Sequence, residues 1–219
     1  MNKGGKVHDS RLESLDLRSK VAMGAVIATS ICYVATKILM VVSSSGIMES
    51  SDGAILIMLG MVMVASGLGL IGCFLVAVIA WCMWAYRAYA NLPEVFGVPI
   101  ESSPGWAPGS FFIPFVNLFK PYQIMKEVWD KVAPSHEVGQ HNWLSLWWAC
   151  WIGQGVISRV TGEGMLETVG LGIYALLNGI EGVIYVAAAY GAVQVAYRIT
   201  KFQCEYAGEG SARMADYFS

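Results

Sequence analysis

Charge is what this 219-residue chain has least of: Asp, Glu, Lys and Arg together make up 14% of it, against about 25% in ordinary soluble domains. A water-facing surface needs more than that, so a globular domain in water is excluded as the main architecture. The shortage is uneven, with long stretches almost free of charge, while hydrophobic residues reach 56% and mean hydropathy is +0.54. Neither sign dominates: the net charge is −2 and the pI is near 5.9, so the basic face that a nucleic-acid partner requires is missing. The five cysteines, Cys32, Cys73, Cys82, Cys150 and Cys204, form no CxxC pair and read as small hydrophobes. His8, His136 and His141 lack metal-ligand spacing. No phosphate-binding glycine loop, nucleophile elbow or HExxH motif occurs. The sequence therefore calls for no metal and no cofactor, and it leans away from an enzyme.

What it has instead is four apolar runs, at residues 21–42, 53–86, 143–160 and 169–197. About 20 apolar residues suffice to cross about 30 Å of hydrocarbon. The expected fold is therefore all-α: a polytopic integral membrane protein with four transmembrane helices, forming one membrane domain over residues 21–202. The second run would measure about 50 Å as a helix. Cutting it at Ser66-Gly67-Leu68-Gly69 leaves two pieces that are each too short, so a single tilted helix with a projecting end is expected. Trp81, Trp84, Tyr86 and Tyr89 would mark its exit from the lipid.

Residues 1–20 are polar, which is the wrong order for a cleavable signal peptide, and they read as a cytoplasmic arm before a retained first span. Five basic residues precede that span, four lie between the second and third spans, and three follow the fourth. The positive-inside rule then puts both termini and the central segment 87–142 in the cytoplasm, which an even number of spans satisfies. Residues 203–219, with Gly208-Glu209-Gly210-Ser211, read as a loose cytoplasmic tail. The lipid bilayer is the first partner, and a protein partner or a second copy of the chain is the next.

Between residues 118 and 132 apolar side chains recur at helical spacing: Leu118, Tyr122, Met125, Trp129 and Val132. Lys120, Gln123, Glu127, Asp130 and Lys131 fall opposite them, which gives an amphipathic helix. Glu127 and Lys131 stand at i,i+4, and Pro121 belongs in the first turn. The apolar stretch 111–119 is too short to span and reads as an interfacial or re-entrant dip. A plug between spans and a plain amphipathic linker are the alternatives. Arg87 and Asn91, one turn apart, suit either a phosphate-headgroup contact or a clamp onto this segment, with the clamp, to Glu127 or to a carbonyl, favoured.

The residues in this region resemble a known family. They are Tyr86-Arg87-Ala88-Tyr89 with Asn91, Pro104-Gly105-Trp106-Ala107, Phe112-Ile113-Pro114-Phe115 with Asn117, Pro121-Tyr122-Gln123 with Met125, Glu127 and Trp129, and Leu146-Trp147-Trp148. Together they are similar to the bacterial membrane family of domain of unknown function 4328. The resemblance implies a four-span bacterial inner-membrane protein and marks Arg87, Asn91, Pro104, Gly105, Trp106, Pro114, Asn117, Pro121, Tyr122, Glu127 and Trp129 as a family-motif surface. It brings no activity and no catalytic residue.

Inside the spans, Glu181 sits near mid-membrane, where an acid is costly unless it is paired, neutral or hydrated. Asn178 lies one turn earlier, and Gln154 stands at similar depth. Lys37 is near the outer end of its span, where snorkelling to the surface is favoured over a buried pair with an acid. Glu181, Asn178, Gln154 and Lys37 are thus the candidates for a polar cluster, either a ligand, ion or proton site or interhelical glue. Gly67, Gly69, Gly72, Ala175, Gly179, Gly182, Ala187 and Gly191 give small-residue faces, expected to pack within the monomer. The leading function is a non-enzymatic partner-binding or assembly component. A small transporter or channel built on Glu181 is the alternative, and a membrane-embedded lipid-acting enzyme is third.

Overall fold

The computed structural model describes residues 3–44, 53–161 and 165–217. Among these every regular element is helical. The order is α1 (Lys3–Ser44), α2 (Gly53–Val95), α3 (Trp106–Gly109), α4 (Lys120–Val132), α5 (Asn142–Val160) and α6 (Met165–Tyr217). Two 3-10 turns, Ser110–Phe112 and Val116–Leu118, join α3 to α4. Helices α1, α2 and α6 each hold a stretch long and apolar enough to cross a membrane, namely Asp9–Ser43, Gly53–Val95 and Glu167–Gly208. The fourth expected span coincides with α5, which has 19 residues and is not among those three. Its Ser145, Gln154, Ser158 and Arg159 dilute the apolar run.

The long second run is one unbroken helix of 43 residues, about 65 Å at 1.5 Å per residue. That is twice the hydrocarbon thickness, so a large part of it lies outside the apolar layer. The polar residues before the first apolar run are helical from Lys3 onward, so arm and span form one element. Helix α6 likewise continues to Tyr217, where the sequence reads a loose tail. Gly170 interrupts α6 with φ 76 and ψ 164, a conformation open essentially to glycine alone. The break coincides with the expected start of the span at residue 169. The short connections at 45–52 and 162–164, expected on the far side of the membrane, lie outside the described residues.

The chain divides into two compact units, to which α1, α2 and α6 all contribute. One comprises Ala25–Ala77 and Leu146–Gly191. Its surface is apolar, with Ile57 67% and Leu68 66% exposed, and its buried side chains include Thr29, Thr161, Asn178 and Glu181. Water as solvent would reverse that arrangement, and hydrocarbon favours it. Here α5 and α6 come into close approach: a Cβ added at Gly191 would lie 2.8 Å from the backbone N and Cα of Trp147. The other glycine faces correct the sequence expectation, because a Cβ at Gly67, Gly69, Gly72, Gly179 or Gly182 would meet nothing within 4 Å. Cys32 and Cys73 bring their Sγ atoms to 3.7 Å, a proximity between α1 and α2 that the reading of isolated apolar cysteines misses.

The other unit comprises Met1–Gly24, Val78–Ser145 and Ala192–Ser219. It holds twelve of the 14 Lys and Arg residues, all except Lys37 and Arg159. Its core is conventional: Trp84, Leu92, Met125, Trp129, Leu144 and Ile199 are buried. Helix α4 forms where the periodicity predicts it, with Pro121 in the first turn at the position where a missing amide hydrogen costs nothing. Its buried face carries Ile124, Met125, Val128, Trp129 and Val132.

Candidate functional site

Glu181 is 2% exposed, and both of its oxygens are engaged. The Tyr33 hydroxyl donates to Oε1 at 2.6 Å. Lys37 Nζ and the Thr161 hydroxyl donate to Oε2 at 2.8 and 2.7 Å. Lys37 also donates to Asn178 Oδ1 at 3.0 Å, and the Asn178 amide returns to the Tyr174 carbonyl at 2.9 Å. Gln154 faces the same Tyr33 hydroxyl, and Tyr185 stacks on the Tyr33 ring with centroids 3.9 Å apart. Helical spacing accounts for the convergence. Tyr33 and Lys37 stand at i,i+4 on α1, and Asn178, Glu181 and Tyr185 line one face of α6.

All four candidates of the polar cluster are thus brought together. Lys37 does not snorkel, which corrects the favoured expectation: a buried carboxylate in an apolar surrounding holds the ammonium inward. Tyr33 and Thr161 are the members the sequence reading missed. Tyr33 was findable, since it sits one turn from Lys37. Thr161 was not, because no periodicity links it to the acid. The arrangement is a saturated ion pair: Lys37, Tyr33 and Thr161 donate, and Glu181 accepts three hydrogen bonds.

In the basic unit Glu127 is the organising group. The Tyr89 hydroxyl donates to it at 2.7 Å, the Glu101 backbone amide at 2.9 Å and Lys131 at 2.5 Å. Lys131 also donates to the Pro99 carbonyl, and the Ser102 amide donates to the Tyr89 oxygen at 3.1 Å. Residues 99–102 are therefore tied to both α2 and α4. Burial alone would push the Glu127 carboxyl up. The Lys131 ammonium, the Tyr89 hydroxyl and the Glu101 amide outweigh it and hold the group below the usual carboxylate range.

These partners correct the clamp expectation, since Glu127 has no bond to Arg87. They also correct the idea of a single motif surface. Asn91, Pro121 and Trp129 are buried. Asn91 donates to Gln203 at 3.1 Å, and Trp129 donates to the Glu137 carbonyl at 3.1 Å while meeting Phe202 edge-on. Pro104, Asn117 and Tyr122 are half-buried, and Gly105 and Pro114 are exposed.

What does reach the outside is aromatic. Trp106, Phe112, Phe115 and Phe119 are exposed, Phe115 by 79%. Phe115 adopts φ 63 and ψ −42, and the Val116 amide donates to the Pro114 carbonyl at 2.8 Å across it. This is a γ-turn of the strained, positive-φ hand, occupied by a bulky side chain for which such φ is an outlier. The turn aims the ring away from the unit's core.

Three membrane-length helices and an ion pair between α1 and α6 whose carboxylate is buried define this chain as an all-helical membrane protein. The model of the family described as Domain of unknown function (DUF4328) matches residues 52–203, and the chain belongs to that family. The match covers α2 through most of α6, including Glu181, Asn178, Gln154 and the whole aromatic segment, but not Tyr33 or Lys37 on α1. No curated protein and no solved structure matches the chain.

Proposed function

We propose that the protein is a four-span component of a bacterial inner membrane that works by docking a protein partner, with both termini and residues 87–142 in the cytoplasm. The fourth span would be α5, about 28 Å long at 1.5 Å per residue, and the orientation follows from the basic residues of one unit. The observation that carries the docking role is the aromatic ridge Phe112, Phe115 and Phe119. It is exposed, yet it is fixed by a strained turn and by the adjoining α4, whose opposite face is core. Large exposed aromatics are costly to leave in water and are the side chains that anchor interfaces. Keeping one at a φ that costs on the order of 1–3 kcal/mol makes sense where the ring is used.

The test is photo-crosslinking in native membranes from probes at positions 112, 115 and 119. Adducts with a protein are expected, and adducts with this chain itself would identify the partner as a second copy. Lipid adducts alone would overturn the reading and make residues 111–119 a dip into the bilayer. Phe115→Gly should raise stability by about 1 kcal/mol through relief of the turn while abolishing the adducts.

The second reading is a small transporter or channel, favoured by one observation, the Lys37–Glu181 pair enclosed among apolar helices. Proton uptake by reconstituted vesicles that vanishes in Glu181→Gln would move the function to that site.

A further inference from the structure

We propose that Arg11, Arg18 and Arg87 form a binding site for the phosphate group of an anionic phospholipid. Within the basic unit, Arg18 Nη1 donates to the Met83 carbonyl at 3.1 Å, and Arg11 pairs with Glu94. Positions fall along α1 as they rise along α2, so the two helices run antiparallel there. Arg87 lies one turn beyond Met83 and two turns before Glu94, on the same face of α2, and so between the two α1 arginines. The cationic side chains that act on Arg87 are Arg18 and Arg11. Of the three guanidinium groups, Arg11 has a carboxylate partner in Glu94 and Arg18 a backbone carbonyl.

Arg87 Nε is buried and has no hydrogen-bond partner among the described residues. A buried donor left unpaired is costly, and like charges at this range repel. A phosphate relieves both, since guanidinium groups bind its oxygens in a fork geometry that an ammonium cannot copy. Leu17, Met83 and Tyr86, next to these cations in sequence or space, are exposed. Apolar side chains beside a cluster of cations match the boundary between headgroup and acyl chain, where basic pockets between membrane helices take anionic headgroups. A soluble phosphate would leave those apolar side chains in water. The site uses neither the aromatic ridge nor the Glu181 cluster, so it stands independently of the docking reading.

The experiment uses the full chain, purified in mild detergent and stripped of lipid, then exposed separately to phosphatidylglycerol, phosphatidylcholine and inorganic phosphate, with binding read by native mass spectrometry. Phosphatidylglycerol should be retained over phosphatidylcholine. Arg87→Gln should lower that retention about fivefold, the loss that corresponds to one cation near a membrane surface. Glu94→Gln removes the acid paired with Arg11 without touching the core, so it should raise retention and serves as the measurement if the arginine variants fold poorly. Equal retention of the two lipids, no gain in Glu94→Gln, or displacement of the lipid by inorganic phosphate at equal concentration would each overturn the proposal.

Discussion

In the unit formed by Ala25–Ala77 and Leu146–Gly191, the side chains hidden from solvent include Thr29, Thr161, Asn178 and Glu181, while isoleucine, leucine and valine face outward. In the unit formed by Met1–Gly24, Val78–Ser145 and Ala192–Ser219, tryptophan, leucine and methionine are hidden, and the unit carries twelve of the 14 Lys and Arg residues. One chain therefore carries two opposite polarity patterns, and α1, α2 and α6 take part in both. The difference teaches what each unit uses to hold itself together. Where lipid is the solvent, apolar burial gives little driving force, so helices associate through close backbone approach, as at Gly191, and through internal hydrogen bonds, as around Glu181. Where water is the solvent, burial of Trp84, Met125 and Trp129 supplies the free energy, and polar bonds such as those of Glu127 fix the register of a loop.

The contrast breaks hardest at Lys37. Lys37→Met should destabilise the protein by about 3–5 kcal/mol, because it leaves a carboxylate buried and uncompensated. Adding Glu181→Gln to it should recover most of that loss. Unfolding titrations in mixed micelles measure both, and a cost under about 1 kcal/mol for the single variant would mean that water reaches the pair, so that the polar interior is not sealed.

Glycines sharpen the same comparison at smaller amplitude. Gly191→Ala should cost about 1–3 kcal/mol, since its methyl would press on the Trp147 backbone. Gly72→Ala, with open space around it, should be neutral or stabilising by up to about 1 kcal/mol from helix propensity. Thermal melts of the two variants side by side decide it, and equal losses would show that the α2 glycine face is packed against something in solution.

The smallest effect belongs to Glu127 in the basic unit. Its folded-state carboxyl is depressed, so its contribution is complete above the ordinary glutamate value of about 4.3 and is lost as the pH falls through the lower folded value. Protease cleavage near residues 99–102 should therefore rise at acid pH. Glu127→Gln should flatten that acid limb at a cost of about 1–2 kcal/mol. An unchanged acid limb would remove Glu127 as the tether.

Much of this was legible in the order of residues. The apolar runs located α1, α2, α5 and α6, because a stretch that crosses lipid must be apolar all round over a length set by the membrane. The 118–132 periodicity located α4, since one face of it is buried and the other wet. Glu181, Asn178, Gln154 and Lys37 were recognisable singly because polar groups inside apolar runs are rare. Their meeting was less legible: snorkelling and pairing both satisfy Lys37, and only its distance to Glu181 separates them. The fate of the family motif was not legible at all. Trp129 and Phe112 are similar in hydrophobicity, yet one is core and the other exposed, because α4 seats Trp129 against Phe202 while a strained turn at Phe115 carries its neighbours outward.

By itself, the sequence determined that the protein is helical and marked its four apolar runs, three of which lie in helices long and apolar enough to cross a membrane, because solvent matching acts on each segment separately and needs no knowledge of its neighbours. The tertiary structure alone decided which charges neutralise each other. It paired Lys37 with Glu181, tied Glu127 to Tyr89, and left Arg87 between two other arginines. Such pairings depend on distances between segments far apart in the chain, and no local property of either segment contains them.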